Sequence, residues 1–140
     1  MSNFNPHHLE ELLGYARIRP VLNQIEIHPY MTQQEVVGKT FAMGVQVQGW
    51  APLAQGGSVL KDPTIAAIAD AHKKSIAQII LRWNIERGLI AIPRCDNRDY
   101  VLENLDIFDF ELSPVEIQII NGLNRNERTN AKNDPESFPW

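Results

Sequence analysis

Residues 21–50 read VLNQIEIHPYMTQQEVVGKTFAMGVQVQGW, and this stretch decides the fold class. Val21 to His28 carries the apolar set Val21, Ile25 and Ile27 between Pro20 and Pro29. A short apolar run closed by prolines predicts a buried strand. Thr32 then stands where a helix N-cap is needed, with Glu35 three residues on as its capping-box partner. The predicted helix carries Val36, Val37, Phe41 and Met43 and stops at Gly44. Val45 to Trp50 is a second strand, halted by Pro52. Strand, helix, strand in this order means two parallel strands joined by a crossover helix.

The same alternation continues on both sides. Upstream, Asn5-Pro6 is an N-cap followed by proline at the first helical position, with Leu9, Leu12, Leu13 and Ala16 at helical spacing. Downstream, residues 54–60 form a Gly-containing loop. Asp62-Pro63 opens a helix with Ile65, Ile68, Ala69 and His72 on one face, and Ser75 caps another with Ile79, Ile80, Trp83 and Ile85 inward. Leu89 to Ile92 is a third strand, stopped by Pro93. Asn97 caps a short helix to about Leu105, and Ser113-Pro114 opens a last one with Ile117, Ile120 and Leu123. The expected organisation is one domain over 1–140, with αβ units in 1–123 and a polar tail in 124–140. Three parallel strands leave two open edges and need cover on both faces. The chain is therefore expected to pair with another chain or to be part of something larger.

Composition narrows the function classes. Hydrophobic residues make up 44% of the 140, enough for a real core. A net charge of -4 with no basic run beyond Lys73-Lys74 excludes a nucleic-acid surface. No stretch approaches the length of a membrane span. The single cysteine, Cys95, permits no intramolecular disulfide, and the start of the chain lacks a secretory pattern, so a cytosolic setting is expected. The four histidines, His7, His8, His28 and His72, have no metal-ligand spacing with a carboxylate or a cysteine, and no metal site is expected.

In parallel α/β folds ligands sit at the carboxyl ends of the strands. The residues there are Ser2-Asn3, Gln24, Trp50, Arg94, Cys95, Asn97, Glu103 and Asn104. Amides supply both donors and acceptors for a carboxamide. An indole face can stack on a nicotinamide ring. A guanidinium near a helix N-terminus suits a phosphate. Each also has a plainer reading: Ser2-Asn3 as a helix entry, Gln24 as a buried amide, Trp50 as core, Arg94 as a solvated cation. Neither a Gly-x-Gly-x-x-Gly nor a Walker loop is present.

Taken together, several motifs resemble the aldo-keto reductases. They are Ser2-Asn3-Phe4, Asn23-Gln24-Ile25-Glu26-Ile27-His28-Pro29-Tyr30, Trp50-Ala51-Pro52-Leu53-Ala54-Gln55-Gly56, Ala77-Gln78-Ile79-Ile80-Leu81-Arg82-Trp83, Ile92-Pro93-Arg94, Glu103-Asn104 and Phe108-Asp109-Phe110-Glu111-Leu112-Ser113. The resemblance runs along essentially the whole chain. It implies an α/β architecture, part of a (β/α)8 TIM barrel: residues 2–4 would end the fifth strand, and the three strands would be the sixth to eighth. It implies NADP(H), with NAD(H) as the alternative, and reduction of aldehydes or ketones. Ser2, Asn3 and Gln24 would clamp the carboxamide, and Trp50 would stack on nicotinamide. Leu53 and Gln55 would belong to the loop over the pyrophosphate. Arg94, Cys95 and Asn97 would form the 2′-phosphate pocket, with Glu103 and Asn104 at adenine.

The resemblance also marks departures. Ala51 and Cys95 stand where the family usually has serine, Arg94 where it has lysine, and Tyr100 where an arginine packs on adenine. Asp96 adds a negative charge, and Arg98 is a candidate substitute cation. These weaken the expected preference for NADP over NAD. The family's catalytic Asp, Tyr, Lys and His have no counterpart here, so no catalytic residue is assigned. A truncated piece, inactive without an N-terminal half-barrel, is expected; the partner would be that half or a second copy. The alternative is a non-enzymatic nucleotide-binding or interaction module that self-associates through open sheet edges. Phe138 and Trp140 would belong to a substrate-side tail.

Overall fold

The structure, a computed structural model, describes residues 1–137. Helix α1 spans Pro6–Tyr15, strand β1 Leu22–Glu26, α2 Gln34–Ala42, β2 Gln46–Trp50, α3 Pro63–His72, α4 Ile76–Glu86, β3 Ile90–Ile92, α5 Arg98–Leu105 and α6 Pro114–Asn121. The strands form one parallel sheet in the order β1-β2-β3. Residues 1–3 extend it. Ser2 bridges Gln24 in parallel, the Met1 amine donates to Leu22 O, Gln24 N to Met1 O and Asn3 N to Gln24 O. This is the stub of a further strand beside β1, as the resemblance implied.

One face of the sheet is packed and the other is not. Ile25, Val47 and Gly49 point to the helices with Ile65, Ile79, Ile80, Trp83, Leu112 and Ile120, all buried. Burying such side chains contributes roughly 1.5–3 kcal/mol each. The opposite face, with Gln24, Gln48, Ile90 and Ile92, stays half-buried or exposed. Gly49 has a packing reason: a Cβ there would lie 3.3 Å from Ile27 Cβ and 3.5 Å from Asn84 Oδ1 of α4. Four expected caps form as read, Asn97 among them with its Oδ1 accepting from Asp99 N. Asp62 accepts from Thr64 N and Ile65 N; Ser75 pairs with Gln78, and Ser113 with Glu116, as reciprocal capping boxes.

Four local readings are corrected. The N-cap of α2 is Gln33, held in the left-handed region (φ 47°), not Thr32. Thr32 is buried, its N–H donating to Asn124 Oδ1 and its carbonyl accepting from Arg87, while Glu35 pairs with Lys39 one turn on. Long-range partners thus displaced a capping box that local sequence favoured. Val21 is 78% exposed and lies before β1, outside the paired strand. On α2, Val37 and Thr40 are buried while Phe41 is exposed. Ile85 is half-buried beside an open apolar cavity rather than inside the core.

The tail from residue 124 folds back along the carboxyl end of β1. Arg125 N and Glu127 N both donate to Tyr30 O, and Thr129 N donates to Glu26 Oε1 at 2.7 Å. Phe138 and Trp140 lie outside the described residues.

Candidate functional site

The backbone of one loop shapes the site first. Between Trp50 and Gly57 the backbone enters the left-handed region at Ala51 (φ 48°), Ala54 (φ 46°), Gln55 (φ 55°) and Gly56 (φ 80°). Three of these carry a Cβ, each an unfavourable conformation of about 1–2 kcal/mol. Such clustered strain marks segments that a surrounding structure over-determines, and it is common at ligand sites. The strained loop is one wall of a cleft of about 650 Å³ lined by Trp50, Leu53, Gln55, Leu60, Pro93 and Arg94 among others. A second cleft of about 580 Å³ shares Leu53, Leu60, Arg94 and Asp96 with it and continues to Tyr100, Glu103 and Asn104. The two make one elongated groove across the carboxyl ends of β2 and β3.

At one end stands Trp50. Its Nε1 donates to Asn3 Oδ1 at 2.9 Å, which fixes the plane of the indole. Asn3 itself is held left-handed (φ 56°) by its place at the end of the strand stub. Behind it, Gln24 Nε2 donates to Gln48 Oε1 at 2.6 Å across the paired strands. Each of the two expected amides therefore has one end committed: Asn3 keeps its Nδ2 as a donor and Gln24 its Oε1 as an acceptor. Ser2 is exposed beside Gln24 at the rim.

At the other end α5 presents its N-terminus. Asn97 caps it, its Oδ1 accepting from Asp99 N at 2.9 Å, and its amide nitrogen remains a donor. Cys95 is half-buried, with Sγ directed to Asn97 O at 3.0 Å. Arg94 is exposed and pairs with Asp96 at 3.0 Å. Glu103 and Asn104 are half-buried in the far wall. Arg98, expected as a substitute cation, is not among the lining residues. The expected set thus falls into two linked clusters. Ser2, Asn3 and Gln24 meet behind Trp50, and Leu53, Gln55, Arg94, Cys95, Asn97, Glu103 and Asn104 line the groove leading away from it.

Other contributors were not apparent in the sequence. Gln48 orients Gln24 through a cross-strand contact that only the register reveals. Gln78 is buried and donates to Glu103 O at 3.1 Å and Asp106 O at 2.9 Å, so it anchors the α5 wall. Its capping-box position after Ser75 was the one available signal. Among the described residues, His7, His8 and Glu136 bring potential metal-ligating atoms within 4.8 Å of one another, because the tail returns to α1. Sequence spacing could not show this. Here Asn5 N donates to His8 Nδ1 and the Asn5 amide donates to Glu136, so the three tie the start of α1 to the tail.

Near Glu26, burial pushes the carboxyl up, but hydrogen bonds from His28 and Thr129 outweigh it and hold it below the usual carboxylate range. Arg87, stacked 4.4 Å from the Trp83 ring, is pushed down to about 10 by burial.

Residues 1–125 match the family model described as the aldo/keto reductase family. The chain belongs to that family. It is 44% identical over 138 residues to the glyoxal reductase of Bacillus subtilis (strain 168), covering 99% of this chain and 50% of that protein. A crystal structure of the Bombyx mori aldo-keto reductase in complex with NADP superposes with a TM-score of 0.88 at 37% identity, over 99% of this chain and 48% of that one. The aldo/keto reductase of Brucella melitensis superposes with a TM-score of 0.82 at 43% identity, over 88% of this chain and 47% of that one. The chain spans about half the length of the curated relatives it matches. Among the described residues, a three-stranded parallel sheet and six α-helices form part of the family's α/β barrel. Among the described residues no helix is long and apolar enough to cross a membrane.

Proposed function

We propose that this chain is the cofactor-holding portion of an NADP(H)-dependent aldo-keto reductase of aldehydes and ketones, working in the cytosol. The observation that carries the reading is the continuous groove from Trp50 to Asn104. Its size and mixed lining suit an extended dinucleotide. When bound, the nicotinamide supplies a hydride. Trp50, pinned by Asn3, offers a fixed ring face against which the nicotinamide rests. Asn3 Nδ2 and Gln24 Oε1 form a donor-acceptor pair complementary to its carboxamide. Leu53 and Gln55 would lie over the pyrophosphate, and Arg94, Cys95 and Asn97 would form the 2′-phosphate pocket, with Glu103 and Asn104 at adenine.

A carbonyl reduction also needs an acid at the oxygen. Tyr30 is buried against Asp62, Tyr100 lies at the adenosine end, and Tyr15 is exposed on α1. The acid in this reading comes from an N-terminal half-barrel, since a second copy would bring the same residues and still lack it. The substrate is then a small carbonyl compound, and this chain alone turns over none. The second reading is a non-enzymatic nucleotide-binding or interaction module that self-associates. The exposed apolar set Tyr100, Val101, Leu102, Leu105 and Phe108 near β3 favours it.

Titration with NADPH tests the cofactor role. Tryptophan fluorescence is expected to be quenched, and Trp50→Phe to remove most of the quenching. Equal quenching in the variant would refute the stacking role. NADPH consumption with a generic aldehyde is expected only after a partner half is added. Turnover by the purified chain alone, run as a monomer by light scattering, would overturn the division of labour.

A further inference from the structure

Helix α1 opens with two adjacent histidines. Consecutive helical side chains diverge by about 100° around the axis. The His7 and His8 rings nevertheless converge, with centroids 3.9 Å apart and planes inclined at 45°. The tail brings Glu136 to the same point. His7 Nε2 lies 3.6 Å from Glu136 Oε2, and the other carboxylate oxygen accepts from the Asn5 amide. The Glu136 backbone is itself held, its N–H donating to Asp134 Oδ1 at 3.1 Å. One potential ligand atom from each of the three residues lies within 4.8 Å of the other two.

The surroundings favour a cation. The adjoining cleft of about 360 Å³ is lined by Glu10, Glu35 and Glu136 against Lys39, three carboxylates to one ammonium. That ammonium is already paired with Glu35 at 2.7 Å. Two imidazoles and a carboxylate suit an ion such as Zn²⁺, which takes mixed nitrogen and oxygen ligands, whereas Mg²⁺ and Ca²⁺ prefer oxygen alone. Three protein ligands leave the fourth zinc position to water. Binding carries one local cost. Asn5 N donates to His8 Nδ1 at 3.2 Å. A neutral imidazole has a single unprotonated nitrogen, so a metal on either ring atom takes the acceptor from that amide. The expected affinity is therefore micromolar, short of the binding in closed structural zinc sites.

We propose that His7, His8 and Glu136 form a zinc site that clamps the tail to the start of α1. None of the three lines the groove from Trp50 to Asn104, so the inference stands apart from the cofactor reading. An ion that needs both segments together stabilises the docked tail by mass action. The test is calorimetric titration of the metal-free full chain with Zn²⁺, for the parent, His7→Ala and Glu136→Gln. It is paired with limited trypsin cleavage after Arg128, with and without saturating Zn²⁺. Both substituted side chains are more than half exposed, so neither variant threatens the fold, and Glu136→Gln keeps an acceptor for the Asn5 amide. The parent is expected to bind a single equivalent, and each variant to bind about tenfold or more weakly. Zinc is expected to slow cleavage about tenfold in the parent and to leave Glu136→Gln unprotected, which also controls for any action of zinc on the protease. Mg²⁺ is expected to do neither. Absence of zinc binding by a parent that circular dichroism shows to be folded overturns the proposal. Equal binding by the parent and both variants also overturns it, since the ion then sits elsewhere. Zinc binding by the parent without slower cleavage overturns the clamp.

Discussion

Replacing Asp62 by alanine should remove two kinds of support at once. Its Oδ1 accepts from Thr64 N at 2.8 Å and Ile65 N at 3.2 Å, capping α3, and its Oδ2 accepts from the Tyr30 hydroxyl at 2.7 Å. Both residues are buried. Loss of an N-cap costs about 1 kcal/mol. A buried hydroxyl left without an acceptor costs about 1–3 kcal/mol more. Asp62→Ala is therefore expected to destabilise by about 2–4 kcal/mol. Tyr30→Phe keeps the cap and loses one charge-assisted bond, about 1.5–3 kcal/mol. The double variant leaves no orphaned hydroxyl, so the two effects should fall short of additive by about 1–2 kcal/mol. Urea denaturation followed by far-UV circular dichroism measures all three. The pH dependence gives an independent check. Burial raises the Asp62 carboxyl, but its hydrogen bonds from Tyr30 and the α3 backbone lower it further, below its ordinary value. Its stabilisation is thus present above the unfolded carboxylate pKa of about 3.9 and lost as pH falls through the lowered folded value. Burial and the hydrogen bond to Asp62 raise the Tyr30 phenol. Its contribution is full below about pH 10 and lost as pH rises through the raised folded value, a limb that Tyr30→Phe should abolish. Additivity within about 0.3 kcal/mol, or a cost for Asp62→Ala under about 0.5 kcal/mol, would refute the reasoning.

Two further outcomes are expected. Glu26→Gln should loosen the tail, since Glu26 Oε1 accepts from Thr129 N and Arg128 lies 3.9 Å from Oε2; limited trypsin cleavage after Arg128 should quicken about tenfold, and an unchanged rate would count against this anchor. Gly49→Ala should cost about 1–3 kcal/mol, because the new Cβ meets Ile27 and Asn84 at 3.3 and 3.5 Å; an unaltered urea midpoint would show that α4 yields there.

The chain's local chemistry determined a great deal by itself. Proline and glycine stops, the caps Asp62, Ser75, Asn97 and Ser113, and the alternation of strands with helices are short-range features, so the parallel α/β order was legible in the sequence. So were the amides, the indole and the arginine at the strand ends, since the carboxyl ends of parallel strands lie on one side of the sheet. What depended on partners distant along the chain was decided only in three dimensions. Thr32 lost its capping role to Asn124 and Arg87, and Val21 was left uncovered. Glu136 reached His7 only because the tail folds back, and Asp96 met Arg94 in a groove whose charge balance depends on which side chains line it. Caps and turns are short-range interactions, whereas burial and charge pairing depend on which surfaces come together.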